Sequence, residues 1–173
     1  MVARMEWFSR TFSFDLPAWM FPNIIERLRG TPARIENRIA TFSPEVLTRR
    51  DGARWSIQEN VGHLLDLEPL WLGRIEDFDA GRETLRPADL TNKKTHEAGH
   101  NAASIDDVTG AFRSIRREMV GRLEKYGEEQ FLRTALHPRL ETPMRVLDLA
   151  FFVAEHDDHH LAQITELLRT FEA

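Results

Sequence analysis

The chain contains no cysteine. Disulfides, thiolate nucleophiles and zinc–thiolate clusters are therefore excluded, and a reducing compartment, the cytoplasm, is expected. An excess of positive charge is also missing: 23 Lys and Arg stand against 28 Asp and Glu, a formal net charge of -5. An acidic chain gains nothing from counterion release, so nucleic acid is not an expected partner. No apolar run approaches the roughly 20 residues that cross a bilayer, so no membrane association is expected. The opening residues place Arg4, Glu6 and Arg10 among the apolar ones, which leaves no continuous core for a signal peptide. Finally, no segment sustains period-two alternation, and none repeats, so neither strands nor a solenoid is expected.

What remains is helical. With 173 residues, 42% hydrophobic and 29% charged, the chain suits one domain over residues 1–173. A first helix is expected from Pro17 or Pro22 to Phe42, on Ile24, Ile25, Leu28, Ile35 and Ile39, with Pro32 as a kink or interruption. Ser43-Pro44-Glu45 starts a short turn. Ser56 with Glu59 forms a capping box for a second helix that runs to about Ala80 and stops before Gly81. A third starts at Ser104 and reaches about Tyr126, with Gly127 as its C-cap. A fourth starts with Thr142 as N-cap and Pro143 at N1, and continues through Leu147, Phe151, Val153, Leu161, Ile164 and Leu168. The expected fold is all-α, a four-helix bundle. The connection over residues 81–103 exceeds the usual helix–helix link, which lets the second and third helices run parallel. Aromatic residues Trp7, Phe8, Phe12, Phe14, Trp19 and Phe21 crowd the start without periodicity, as a cover over one end of the bundle or a contact between subunits.

The chemistry is concentrated in Glu155-His156-Asp157-Asp158-His159-His160. Residues i and i+4 share a helix face with Cβ atoms roughly 5–6 Å apart. At about 100° per residue, His160 falls inside the apolar arc of Leu149, Val153, Ile164 and Leu167, and His156 lies at its edge. Asp158 points nearly the other way, and His159 projects from the stripe towards solvent. Two adjacent inward imidazoles repel if charged and lack a partner if neutral, and a shared metal ion resolves both conditions. His63, on the second helix, sits at the flank of that helix's stripe of Val61, Leu64, Leu65, Leu72 and Ile75. Three neutral nitrogens from His63, His156 and His160 would leave an open coordination position, the arrangement of a catalytic site. Taken singly, each of these histidines also fits an ordinary hydrogen-bonded place near the core. Gln163 is placed to act one turn beyond His160, or simply to edge the core. Glu59 is explained by its capping box. Glu68 falls on the apolar side and requires a cation, either Arg74 or an arginine of another helix.

A literal H-E-x-x-H occurs at His96-Glu97-Ala98-Gly99-His100, the zincin protease pattern. That motif needs a helix, and here apolar periodicity is missing and Gly99 weakens one. The segment reads better as a polar lid with exposed histidines.

Trp55, Ser56, Glu59, His63, Leu64, Asp66 and Glu68, followed by His156, His160, Leu161, Ala162 and Gln163, resemble the DinB superfamily of metal-dependent hydrolases over essentially the whole chain. The resemblance implies an up-down-down-up bundle and a divalent metal, zinc or nickel, on His63, His156 and His160. It also implies a homodimer, and a small-molecule substrate handled by hydrolysis or by S-transfer from a low-molecular-weight thiol. Leu161-Ala162-Gln163 departs from the Arg-Gly-Gln common in relatives, which removes an anion contact and weakens analogies of substrate. No catalytic residue other than the ligands stands out. The rival readings are a non-catalytic, metal-stabilised small-molecule binding or stress-response module, and the protease built on His96, Glu97 and His100.

Overall fold

The structure, a computed structural model, describes residues 3–172; Met1, Val2 and Ala173 of the expected domain lie outside the described residues. Four long helices form the bundle: α1 (Phe21–Ile39), α2 (Ile57–Asp79), α3 (Ile105–Leu123) and α4 (Val146–Glu172). Cross-helix partners give their directions. Arg27 meets Glu155 and Asp158 while Arg38 reaches Thr165, so α1 and α4 are parallel. Gln58 bonds the carbonyls of His100 and Ala103 just before α3, and Arg122 at the far end of α3 bonds Asp79 at the end of α2, so these two are parallel as well. Asn60 faces His160 and Trp71 faces Phe152, which makes α2 and α4 antiparallel. The order is up-down-down-up, with α1 packed on α3 and α4 and set diagonally from α2.

The local signals explain most boundaries. Ser56 Oγ accepts from the Glu59 amide at 3.0 Å, and the Glu59 carboxylate accepts from the Ser56 amide at 2.8 Å, so the capping box starts α2. Pro32 lies within α1 without ending it, and Pro69 does the same in α2. Two boundaries are corrected. Gly127 does not cap α3: the helix ends at Leu123, and Gly127, at φ -83°, lacks the left-handed backbone of a C-cap glycine and leads into a short helix, Glu128–Phe131. Thr142 and Pro143 do not start α4. They belong to a hairpin of β1 (Thr134–His137) and β2 (Thr142–Arg145), in register Thr134↔Arg145 and His137↔Thr142. Met144 and Ala135 turn inward and are buried, and Pro143 needs no ladder amide on a two-stranded edge. Asp148 accepts from the Arg145 amide at 2.9 Å and so satisfies the entry to α4.

The core has two apolar clusters. One surrounds Leu28, Ile75, Met119 and Val153, and the other Ile35, Val61, Phe112 and Ile164. A charged group ties all four helices together: Arg116 of α3 donates to Glu68 of α2 at 2.6 Å and to Asp157 of α4 at 3.0 Å, and Thr31 of α1 donates to Asp157 at 2.8 Å. All four side chains are buried. The cation required by Glu68 is therefore Arg116, not Arg74. Burial pulls the Arg116 pKa down, but the two carboxylates outweigh it and raise it.

Residues 80–104 return along the bundle. Leu85 pairs through its backbone with Leu136 of β1, the Asp77 carboxylate holds Arg86, and a short helix, Lys93–Glu97, precedes a left-handed Gly99 and a 3₁₀ turn, His100–Ala102. Gly73 and Gly62 allow the close approach of this segment. A Cβ on Gly73 would lie 1.9 Å from Arg86, and one on Gly62 would lie 2.3 Å from the His100 ring. No helix among the described residues is long and apolar enough to cross a membrane.

Candidate metal centre

α2 and α4 bring His63, His156 and His160 together: one nitrogen from each lies within 4.8 Å of the others. Ring centroids are 4.6 Å apart for His156 and His160, 4.8 Å for His63 and His160, and 5.3 Å for His63 and His156. His63 is not at a rim: it is buried, covered by Trp55 at 4.8 Å and by Thr95 of the returning segment. Helical-wheel geometry sees only its own helix, and the cover over His63 comes from Trp55 before that helix and from Thr95 of residues 80–104.

All three rings are held neutral. Burial depresses the His63 pKa to about 4, against the opposing pull of Asp66. Burial also drives His156 and His160 well below the ordinary value, helped by their histidine neighbours. Neutral imidazole is the form that binds metal. The Asn60 amide nitrogen donates to the Ser56 carbonyl at 2.8 Å, which turns its oxygen towards His160 Nδ1, also at 2.8 Å. That oxygen only accepts, so His160 carries its proton on Nδ1 and keeps the Nε2 lone pair free. Thr95 Oγ1 lies 3.0 Å from His63 Nδ1 and can hold that ring in the same way. His156 Nδ1 is buried without any hydrogen-bond partner among the described residues. Three converging neutral donors, one with an orphaned buried nitrogen and two oriented from behind, form a set that a divalent cation fits.

The cleft beside them has a volume of about 370 Å³ and is lined by Trp7, Trp55, Leu67, Trp71, Phe152 and Gln163, among others. Its outer wall is the aromatic amino-terminal segment. That segment does not merely cover one end of the bundle. It runs antiparallel along α4, from Phe14 and Leu16, whose carbonyls accept from Arg145, to Arg10 on Glu155 and Arg4 on Glu166. Trp7 packs edge-on against His156 at 4.9 Å. His159, expected on the surface, is consequently buried: Arg4 lies 3.1 Å from its Nε2 and Gln163 lies 3.4 Å from the same atom. Burial, with Arg4 and Arg10, depresses its pKa to about 4.

The H-E-x-x-H residues form no second centre. The left-handed Gly99 separates the helix holding His96 from His100, so the two rings do not share a helical face. His100 is buried rather than exposed, with Nε2 2.8 Å from Asp66 Oδ2. His96 lies edge-on against Trp55 at 5.5 Å. Glu59 is occupied by its cap and by Arg50, whose Nε donates at 2.8 Å. Sequence reasoning missed Asn60 and Thr95. Asn60 stands one turn before His63, and its position was the only sign; nothing local marks Thr95.

Residues 27–164 match the model of the DinB superfamily. The chain belongs to that superfamily. YfiT of Bacillus subtilis (strain 168) is 25% identical over 155 residues, covering 84% of this chain and 82% of the relative. The solved structure of YfiT from Bacillus subtilis, described as a probable metal-dependent hydrolase with an unusual four-helix bundle topology, matches with a TM-score of 0.75 at 22% identity over 94% of each chain. A Streptococcus pneumoniae protein superimposes with a TM-score of 0.68 at 10% identity, covering 92% of this chain and 93% of its own. The colibactin self-resistance protein ClbS, solved in complex with a dsDNA, gives 0.67 at 11% identity, covering 86% of this chain and 95% of its own. At these identities the structural matches establish the fold alone.

Proposed function

We propose that this chain is a metal-dependent hydrolase or thiol S-transferase, with a divalent ion held by His63, His156 and His160. The observation that carries the reading is the convergence of three neutral imidazoles on the wall of an open cleft. Membership of the DinB superfamily and the description of YfiT support it. Imidazole donors favour zinc or nickel over magnesium. When bound, such an ion supplies the Lewis acidity that makes water or a low-molecular-weight thiol nucleophilic near neutral pH. The chain's own residues prepare that chemistry. Asn60 and Thr95 hold two rings from behind, while Trp7, Trp55 and Trp71 exclude water from one side of the site. The carboxylate that acts on His63, Asp66, is taken by His100 and Lys94, so in this reading the nucleophile's proton leaves through solvent in the cleft. A small-molecule substrate suits the volume of the cleft. A homodimer is part of the reading, supported by the exposed Trp19 and Phe8 of the aromatic segment.

Untagged protein loaded with zinc or nickel, assayed with activated esters and with electrophiles plus glutathione, bacillithiol or mycothiol, tests this. Turnover that disappears with chelator and returns with metal is expected. Stoichiometric metal without turnover in any assay would favour the non-catalytic binding module instead.

A further inference from the structure

At the other end of the cleft the unmatched groups are hydrogen-bond donors. Arg74 of α2 is 1% exposed, yet among the described residues it bonds no carboxylate: Nε donates to the Arg86 carbonyl at 3.1 Å, and Nη1 lies 3.0 Å from His137 Nε2. The nearby carboxylate of Asp77 is taken by Arg86 and Arg82. His137, at the end of β1, already accepts on Nδ1 from the amides of Arg139 and Leu140, at 3.3 and 3.2 Å. A neutral imidazole that accepts on one nitrogen carries its proton on the other. His137 Nε2–H and Arg74 Nη1–H therefore point at each other with no acceptor between them. Arg139, following in the same turn, has Nη2 buried without a partner among the described residues, while its guanidinium lies 5.3 Å over the Phe8 ring. Burial keeps His137 neutral, with a pKa near 4, and lowers the pKa of both Arg74 and Arg139.

All three residues line the same cleft as the histidine cluster. The rise of about 1.5 Å per residue puts Arg74 roughly 16 Å along α2 from His63. Between the two ends the lining is apolar: Leu67, Leu70, Trp71 and Phe152. Buried donors without acceptors are costly, and an anion relieves all three at once through charge-assisted bonds.

We propose that Arg74, His137 and Arg139 form an anion subsite, which takes the carboxylate or phosphate of an elongated organic anion whose apolar middle lies on Trp71 and Phe152. The inference rests on the three-histidine end being the reacting end, and it names the substrate class for that site: the anionic group is held remote from the bond that reacts. Remote binding of this kind positions the reacting end without taking part in the chemistry.

The test is calorimetric titration of the untagged protein, as purified and after chelation, with 4-phenylbutyrate, phenyl phosphate and neutral 4-phenylbutanamide. At least one anion should bind more tightly than the amide, and the tighter of the two identifies carboxylate or phosphate. Arg139→Met, on the half-buried hairpin turn, should weaken that anion about tenfold, the loss of one charge-assisted contact, and leave the amide unchanged. Arg74→Met should do the same, and circular dichroism checks that this buried variant folds. Neither anion binding more tightly than the amide, no anion binding at tens of millimolar, or full affinity for the tighter anion in Arg139→Met would each overturn the subsite. The chelated arm separates the two readings: anion binding there does not need the ion, so failure of metal binding leaves this result standing, and the reverse holds.

Discussion

The nitrogens facing away from the cluster decide how ready the three rings are to bind a cation. Asn60 fixes the His160 tautomer because its own amide is already committed to the Ser56 carbonyl. Asn60→Ala should therefore lower metal affinity by about 10–100-fold, the range for loss of an orienting partner, without unfolding the bundle; competition against a fluorescent zinc chelator measures it. The buried neutral rings also set an acid limit. The folded pKa of His63 is depressed from 6.5 to about 4, so the unfolded chain takes up the proton first. Its contribution to stability is complete above about pH 6.5 and is lost as pH falls towards 4, at most about 2 kcal/mol by pH 5. His137 and His159 add in the same direction. Urea midpoints of metal-free protein should accordingly fall between pH 7.5 and pH 5; an unchanged midpoint would show that these rings are not buried neutral. The inward placement of His156 and His160 was legible because i, i+4 spacing and the apolar arc are local properties, whereas the burial of His63 was not. His159 was misjudged because its cover comes from Arg4 and Trp7, far away in sequence.

Among the elements, the four long helices could be read from periodicity, caps and the length of the second connection, since each depends on neighbours in sequence. The hairpin could not. Thr142 and Pro143 carry a helix-start pattern, and only Met144 and Ala135 packing into the core, with Asp148 capping Arg145, turns them into a strand. The returning segment shows the same limit: His96 is exposed as its polar surroundings suggest, but His100 looks like a surface residue until Gly62 lets it press against α2. Since His96 and His100 are not among the converging rings, replacing both with Ala should leave metal content at the wild-type level by elemental analysis. It should also lower stability by about 1–3 kcal/mol, because the buried Asp66 loses His100 and keeps only Lys94. Loss of metal in this variant, together with retention in His156→Ala, would transfer the site to the H-E-x-x-H residues.

For the whole molecule, one buried charged group fixes the rotation of all four helices, and so aims the histidine faces of α2 and α4 at each other. Asp157, held by Arg116 and Thr31, is the direct neighbour of His156. Arg116→Met leaves Glu68 and Asp157 buried without their cation, and should cost about 3–5 kcal/mol in denaturant titration. A loss below about 1 kcal/mol would mean that the group does not organise the bundle. From sequence the need of Glu68 for a cation was clear, but the choice of Arg116 depended on helix order in space. The most direct test of the central claim is elemental analysis of untagged protein reconstituted with zinc or nickel and then desalted, beside a variant with His63, His156 and His160 all replaced by Ala. One ion per wild-type chain and none in the variant is the predicted result; stoichiometric metal in the variant, or none in the wild type, would contradict it.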